Sequence, residues 1–176
     1  DAYQIELTDR ITQGDEQTVT PTDIAVLTGL GIPGAGDLTT FKFYVNDFDT
    51  TTSGFDLVAT YGAEMFNGNT EFTFVFSDVE NEVDRTKNGL VGGTFIQRLE
   101  ESLPKQRWNL SAVHLNGDWR VLARINSIDG FWTESSGMID GMATVDLELA
   151  RDFGMYNVTL GAQNAFDEYP DEEVQG

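Results

Sequence analysis

The segment LELARDFGMYNVTLGAQ, residues 147–163, decides how the chain folds. Tyr156, Val158, Leu160 and Ala162 alternate with Asn157, Thr159, Gly161 and Gln163, the two-residue period of a strand with one apolar face and one small or polar face. A tight turn on Gly154-Met155 sets Phe153 against Tyr156, Leu149 against Leu160 and Leu147 against Ala162. On the other face Asp146 then meets Gln163 and Glu148 meets Gly161. A one-residue slip would destroy the match.

A second hairpin gives the same result. In VHLNGDWRV, residues 113–121, a type I′ turn on Asn116-Gly117 pairs Leu115 with Asp118, His114 with Trp119, Ala112 with Val121, Leu110 with Ala123 and Trp108 with Ile125. The opposite face sets Asn109 across from Arg124 and Val113 across from Arg120. Two independent turns therefore describe one two-faced antiparallel sheet.

Alternating segments separated by turn residues continue through the chain, which has 18 Gly and is 11% aromatic. Strands are expected over residues 3–12, 41–63, 70–82, 107–115, 119–128, 143–153 and 156–166, the second long enough to bend or break near Asp49. The connections alternate in length. GAEMFNGN, NGD and GM are tight, whereas residues 14–40, 81–106 and 129–142 are long. A soluble sandwich has no reason to gather its long loops at one end. An outer-membrane barrel has short periplasmic turns and long extracellular loops. The aromatics agree: Trp119, Phe153 and Tyr156 lie beside short turns, and Trp108 and Trp132 lie next to long loops, the arrangement of two interfacial girdles. As ordinary core rings they would also suit a sandwich.

Composition bounds the function. With 30 acidic and 10 basic side chains the formal charge is -20, and no Lys/Arg stripe offsets it, so nucleic acid is not an expected partner. There is no Cys, which excludes disulfides and thiolate metal sites. No apolar run reaches the roughly 18 residues of a membrane helix, a statement that leaves membrane strands untouched. The chain opens on Asp1 in what reads as mid-strand, with no signal peptide, and is expected to be a piece of something longer.

Motifs with chemical associations read as structure. GLGIPG, residues 29–34, fits the dinucleotide fingerprint by letter, but that fingerprint must follow a strand and open a helix. Here TPTDIAVLTGLG reads as a helix capped by Thr20, with Pro21 in its first position and Asp23 closing a capping box, and the glycines end it. NDFDTTTSGFD carries Asp47 and Asp49 but lacks the Gly and Glu of a calcium loop, so strand is expected. The acids of the long loops, Asp78, Glu80, Glu82, Asp84, Glu100 and Glu101, read as solvated charge. His114 is the sole histidine; with neither Cys nor a serine elbow it makes no recognisable nucleophilic site, and beside Trp119 it reads as interfacial. The Asn-x-Ser/Thr triplets at Asn109 and Asn157 fall within strands. No catalytic residue, cofactor or metal site is expected. On the polar face Asn109, Arg120, Arg124, Asp146 and Glu148 project from neighbouring strands; they pair with one another, or they line a hydrated lumen and meet a ligand.

The stretches DAYQIELTDRI, NDFDTTTSGFDLVATY, LPKQRWNLSAVHLNGDWRVLARIN and TVDLELARDFGMYNVTLGAQNAFDEYP resemble the last strands of a TonB-dependent outer-membrane receptor. The family's Asp-Thr-x-Thr-x-Gly-x-Asp element, which opens a strand, is matched by Asp49 to Asp56. Its Gln-Asn-x-Phe-Asp-x-x-Pro element, closing the penultimate strand, is matched by Gln163 to Pro170. The resemblance implies a non-enzymatic active transporter of a Gram-negative outer membrane. It would be a barrel of about 22 strands around an N-terminal plug, importing siderophores, cobalamin, carbohydrate or similar nutrients with force from the TonB complex. Residues 1–176 would then be the C-terminal portion of the barrel, an all-β antiparallel meander of about seven strands with short helices in long loops. Without plug and last strand it would be open, since the smallest barrels need about eight strands. Its partners would be the lipid bilayer, the TonB complex through the plug, and a small nutrient. A soluble β-sandwich for binding or adhesion and a passive porin are the competing readings.

Overall fold

A computed structural model of the chain describes residues 1–86, 89 and 91–170, apart from the side chains of Asp47 and Arg85; the acid-rich end beyond Pro170 lies outside the described residues. Its centre is one seven-stranded antiparallel sheet in which each strand pairs with the next along the chain. The strands are β1 (Ala2–Gln13), β4 (Tyr44–Met65), β5 (Gly68–Thr86), β6 (Gln106–Asn116), β7 (Trp119–Ile128), β10 (Met142–Asp152) and β11 (Asn157–Ala162). Two small ribbons stand apart from it, β2 (Gln17–Thr18) with β3 (Thr40–Phe41), and β8 (Phe131–Thr133) with β9 (Gly137–Ile139). β1 and β11 are the two edges, so the meander is an open, partial barrel.

Short turns lie at one end: Phe66-Asn67, Gly117-Asp118 and the Gly154-Met155 turn, where the Phe153 amide donates to the Tyr156 carbonyl at 2.9 Å. Phe66 and Asn67 both take positive φ, 50° and 58°, the backbone of a type I′ hairpin. The long connections lie at the other end. The first holds helix α1 (Pro21–Gly29), and the last holds the β8–β9 hairpin. Between them lies helix α2 (Gly93–Glu101), a short helix in a long loop as expected, although no residues were assigned to it from sequence; Phe95, Ile96 and Leu99 follow helical spacing. Thr20 and Asp23 form the capping box of α1, and Gly31 and Gly34, at φ 74° and 76°, stop its continuation.

The Gly154-Met155 hairpin has the expected register: Leu147 pairs with Ala162, Glu148 with Gly161 and Leu149 with Leu160. The β6–β7 register differs. Asn116 pairs with Trp119, His114 with Val121, Leu110 with Ile125 and Asn109 with Asn126, because the turn is centred one residue later, on Gly117-Asp118. Gly117, at φ 56°, occupies the first central position, as a type II′ turn demands, and Asn116 stays in the strand with its amide donating to the Phe66 carbonyl at 3.2 Å. Moving the turn by one residue moves every pairing by two, so both faces survive. His114 is consequently not opposite Trp119; its Nδ1 lies 2.8 Å from Thr70 Oγ1.

Three strand limits also move. β4 starts at Tyr44 instead of Phe41, which pairs with Gln17 in the β2–β3 ribbon, β5 continues to Thr86 instead of stopping at Glu82, and β11 ends at Ala162 instead of Phe166. Asn164 ends β11 by turning to φ 48°, accepting from the Glu168 amide at 3.0 Å and donating to the Glu168 carbonyl at 2.8 Å. Near Asp49, β4 does not break. It carries a bulge between Asp49 and Thr50, and Asp49 Oδ1 accepts the Asp9 amide at 2.8 Å.

Candidate lumen face and lipid face

The register assigns each residue to a face. Trp108, Leu110 and Ala112 on β6, Val121, Ala123 and Ile125 on β7, Val145, Leu147 and Leu149 on β10, and Val158, Leu160 and Ala162 on β11 share one side. Phe72, Phe74 and Phe76 on β5 and Leu57, Ala59 and Tyr61 on β4 continue it. Among the described residues no second layer packs on this side: strands contact their sheet neighbours, and the further contacts belong to the loop elements. Leu110, Val121, Leu149 and Leu160 are accordingly 39%, 41%, 42% and 70% exposed. A contiguous apolar surface of this extent is not left to water.

The opposite face is polar. Asn109, Arg120, Arg124, Asp146 and Glu148 all lie on it. Arg120 forms an ion pair with Glu148. Asn109 donates to Asn126 Oδ1, and Asn126 in turn donates to Asp146 Oδ2 at 3.0 Å and to Thr144 Oγ1 at 3.4 Å. The second Asp146 oxygen accepts the Asn164 amide at 3.0 Å. The five candidates are thus brought together in two satisfied groups and a remainder. The Arg124 side chain, opposite both Ser111 and Asp146, makes no ion pair or hydrogen bond among the described residues. Asn126, which links Asn109 to Asp146, escapes sequence reasoning because the expected turn placed Arg124 across from Asn109.

The rings fall at the two ends of the apolar band. Trp108 lies 6.5 Å from Phe74 toward the long loops, while Trp119, Phe153 and Tyr156 lie by the short turns. Trp132 stands in the β8–β9 hairpin, outside the seven-stranded sheet. Beyond Phe55 the outward positions change character: Ser53 pairs with Glu80 and Thr51 with Glu82. There Tyr3 turns to the inner side, its ring lying where a Cβ on Gly54 would stand, 2.2 Å from Cζ. This contact is the physical reason for glycine in the Asp49–Asp56 element.

Among the described residues, most of the buried apolar side chains, Ala150 apart, lie at the long-loop end. Phe48, 2% exposed, meets the edge of Phe95 of α2 at 5.6 Å. Glu100 accepts the Val83 amide at 2.8 Å, and Arg98 pairs with Glu134 of the β8–β9 loop. Glu100 and Leu103 share a cleft with Ser77, Val79 and Asn81, which lie on the polar side of β5, so this loop folds inward. Among the described residues no group of three or more His, Asp or Glu side chains could hold a metal, and no helix is long and apolar enough to cross a membrane, which says nothing of strands.

The family model described as TonB dependent receptor-like, beta-barrel, matches residues 1–165. No curated protein and no solved structure matches the chain.

Proposed function

The chain belongs to the TonB-dependent receptor-like β-barrel family, a family of receptors rather than enzymes, and we propose from that premise that it is the C-terminal part of the wall of an active importer. One observation carries the reading: an uncovered apolar face backed by a charged, hydrogen-bonded one, in a single sheet with no second layer among the described residues. Hydrocarbon can cover the first face and water the second, which is the solvent arrangement of an outer-membrane barrel. The family context is that of a Gram-negative outer membrane.

The cargo is a scarce small nutrient such as a siderophore, cobalamin or carbohydrate, received from the long-loop side and released past a plug pulled by the TonB complex. The chain's own contribution is a rigid, hydrated wall. Arg120 and Glu148 neutralise each other, and Arg124 would be the residue to meet cargo or plug, its side chain having no partner among the described residues. The intact protein is expected to sediment with outer membrane, to show heat-modifiable gel migration, and to take up its nutrient only in cells with a working TonB complex. A freely soluble monomer would overturn the membrane reading, and TonB-independent uptake would leave a porin.

A further inference from the structure

Arg151 is the exception on the lipid face. Of the four arginines on β6, β7 and β10, Arg107, Arg120 and Arg124 lie on the polar side, while Arg151 pairs with Trp119 and Val158 on the apolar side. Its guanidinium sits 4.7 Å from the ring centre of Trp119 and 4.8 Å from that of Phe153. The Nε atom is buried and has no hydrogen-bond partner, and among the described residues no carboxylate pairs with the group. The adjacent Asp152 instead accepts the Gly154 amide at 2.7 Å.

Two rings orient a guanidinium plane and shield it from water, but they supply no anion. A cation held at the edge of an apolar band needs a partner or a route to water. A phosphodiester answers both needs, because its oxygens match the planar fork of the remaining N–H donors. Directly deeper on the same face lie Val121 and Leu149, both exposed, where an acyl chain would run. We propose that Arg151, Trp119 and Phe153 form a headgroup site for a phospholipid of the leaflet at the short-turn edge. The inference rests on the membrane reading above; the phosphate source is the bilayer lipid itself.

The test is native mass spectrometry of the intact, detergent-extracted receptor offered phosphatidylglycerol or a diacylglycerol with the same chains. Wild type should retain phosphatidylglycerol over diacylglycerol. Arg151→Gln should lower phosphatidylglycerol retention about fivefold, the equivalent of ~1 kcal/mol for one basic side chain near a lipid surface, and Arg151→Lys should recover part of it. Equal retention of the two lipids by wild type overturns the site without relying on any variant. So does unchanged retention in a heat-modifiable Arg151→Gln protein, or inorganic phosphate binding wild type as well as the lipid does. A wild-type protein that fails to sediment with membrane overturns the membrane reading and this site together.

Discussion

A charge placed at Leu147 tests the assignment of faces. β10 runs from Met142 to Asp152, so Leu147 is its middle residue, five residues from either end. At about 3.3 Å per residue and a tilt near 40°, that is roughly 13 Å from each end, the centre of an apolar band about 25 Å tall. Leu147 pairs with Ala123 and Ala162, so two small neighbours leave its side chain 45% exposed to the outer medium. Leu147→Arg should therefore cost ~2–4 kcal/mol, the penalty of an arginine at the bilayer midplane. Leu122 is the control, because it pairs with Glu148, next along from Leu147, and lies on the opposite face. Leu122→Arg should cost less than about 1 kcal/mol, since water and the Glu148 carboxylate can receive it. Equilibrium unfolding of the intact receptor from phospholipid vesicles in guanidinium chloride measures both. Equal costs at the two positions, or the larger cost at Leu122, would refute the lipid-outside, water-inside assignment.

The other predictions concern local devices. Glu148→Gln should destabilise by about 0.5 kcal/mol, and a double-mutant cycle with Arg120→Gln should give a coupling below ~1 kcal/mol that fades in high salt, because both side chains are more than a third exposed and solvent screens the pair. Gly68→Ala should cost about 1–3 kcal/mol in the same unfolding assay, since its Cβ would stand 2.1 Å from the Leu115 carbonyl oxygen, a backbone atom that cannot swing away. The hydrogen bond from the Thr20 side chain, and then that from its backbone, holds Asp23 below the usual carboxylate range. The cap is therefore intact above the ordinary Asp value and is lost as pH falls through the depressed one. An NMR titration of the Asp23 carboxyl should show its midpoint rise toward the ordinary value in Thr20→Ala.

Much of this was legible in the sequence because a strand's side chains alternate faces, and on β10 and β11 the Gly154-Met155 turn sets the register that the alternation leaves open to shifts of two. The Gly154-Met155 hairpin could be read pair by pair for that reason. Asn116-Gly117 misled because both a turn starting at Asn116 and one starting at Gly117 keep apolar opposite apolar; the deciding contact, Asn116 with the Phe66 carbonyl, comes from a residue 50 positions away. The end of β11 misled for another reason: Phe166 returns in the apolar phase, but Asn164 and Ala165 interrupt the alternation, and Asn164 leaves the strand through its own side-chain bonds to Glu168. Arg151 fits no polar-face pattern. Its meaning appears only when Trp119, from the preceding hairpin, is placed beside it.

On the proposed membrane reading, the lengths of the strands set where a bilayer would lie. From Met65 at the turn to Phe55 is ten residues of β4, a rise of roughly 25 Å at the same tilt, which is the height of a lipid-facing band. At that height the outward residues change from Phe55, Leu57 and Phe76 to Ser53, Thr51, Glu80 and Glu82. β6 and β10, at 11 residues each, end within the same height, whereas β4 with 22 and β5 with 19 run on past it. On that reading the extension would stand in water, where outward acids are solvated and Tyr3, Ile5 and Leu7 can turn inward without losing lipid contact. α2 is tied to that extension and would then belong to a vestibule above the membrane. Arg151 and Trp119 mark the opposite boundary. Strand length, outward polarity and ring placement are set by separate stretches of sequence, and a bilayer of one thickness accounts for all three.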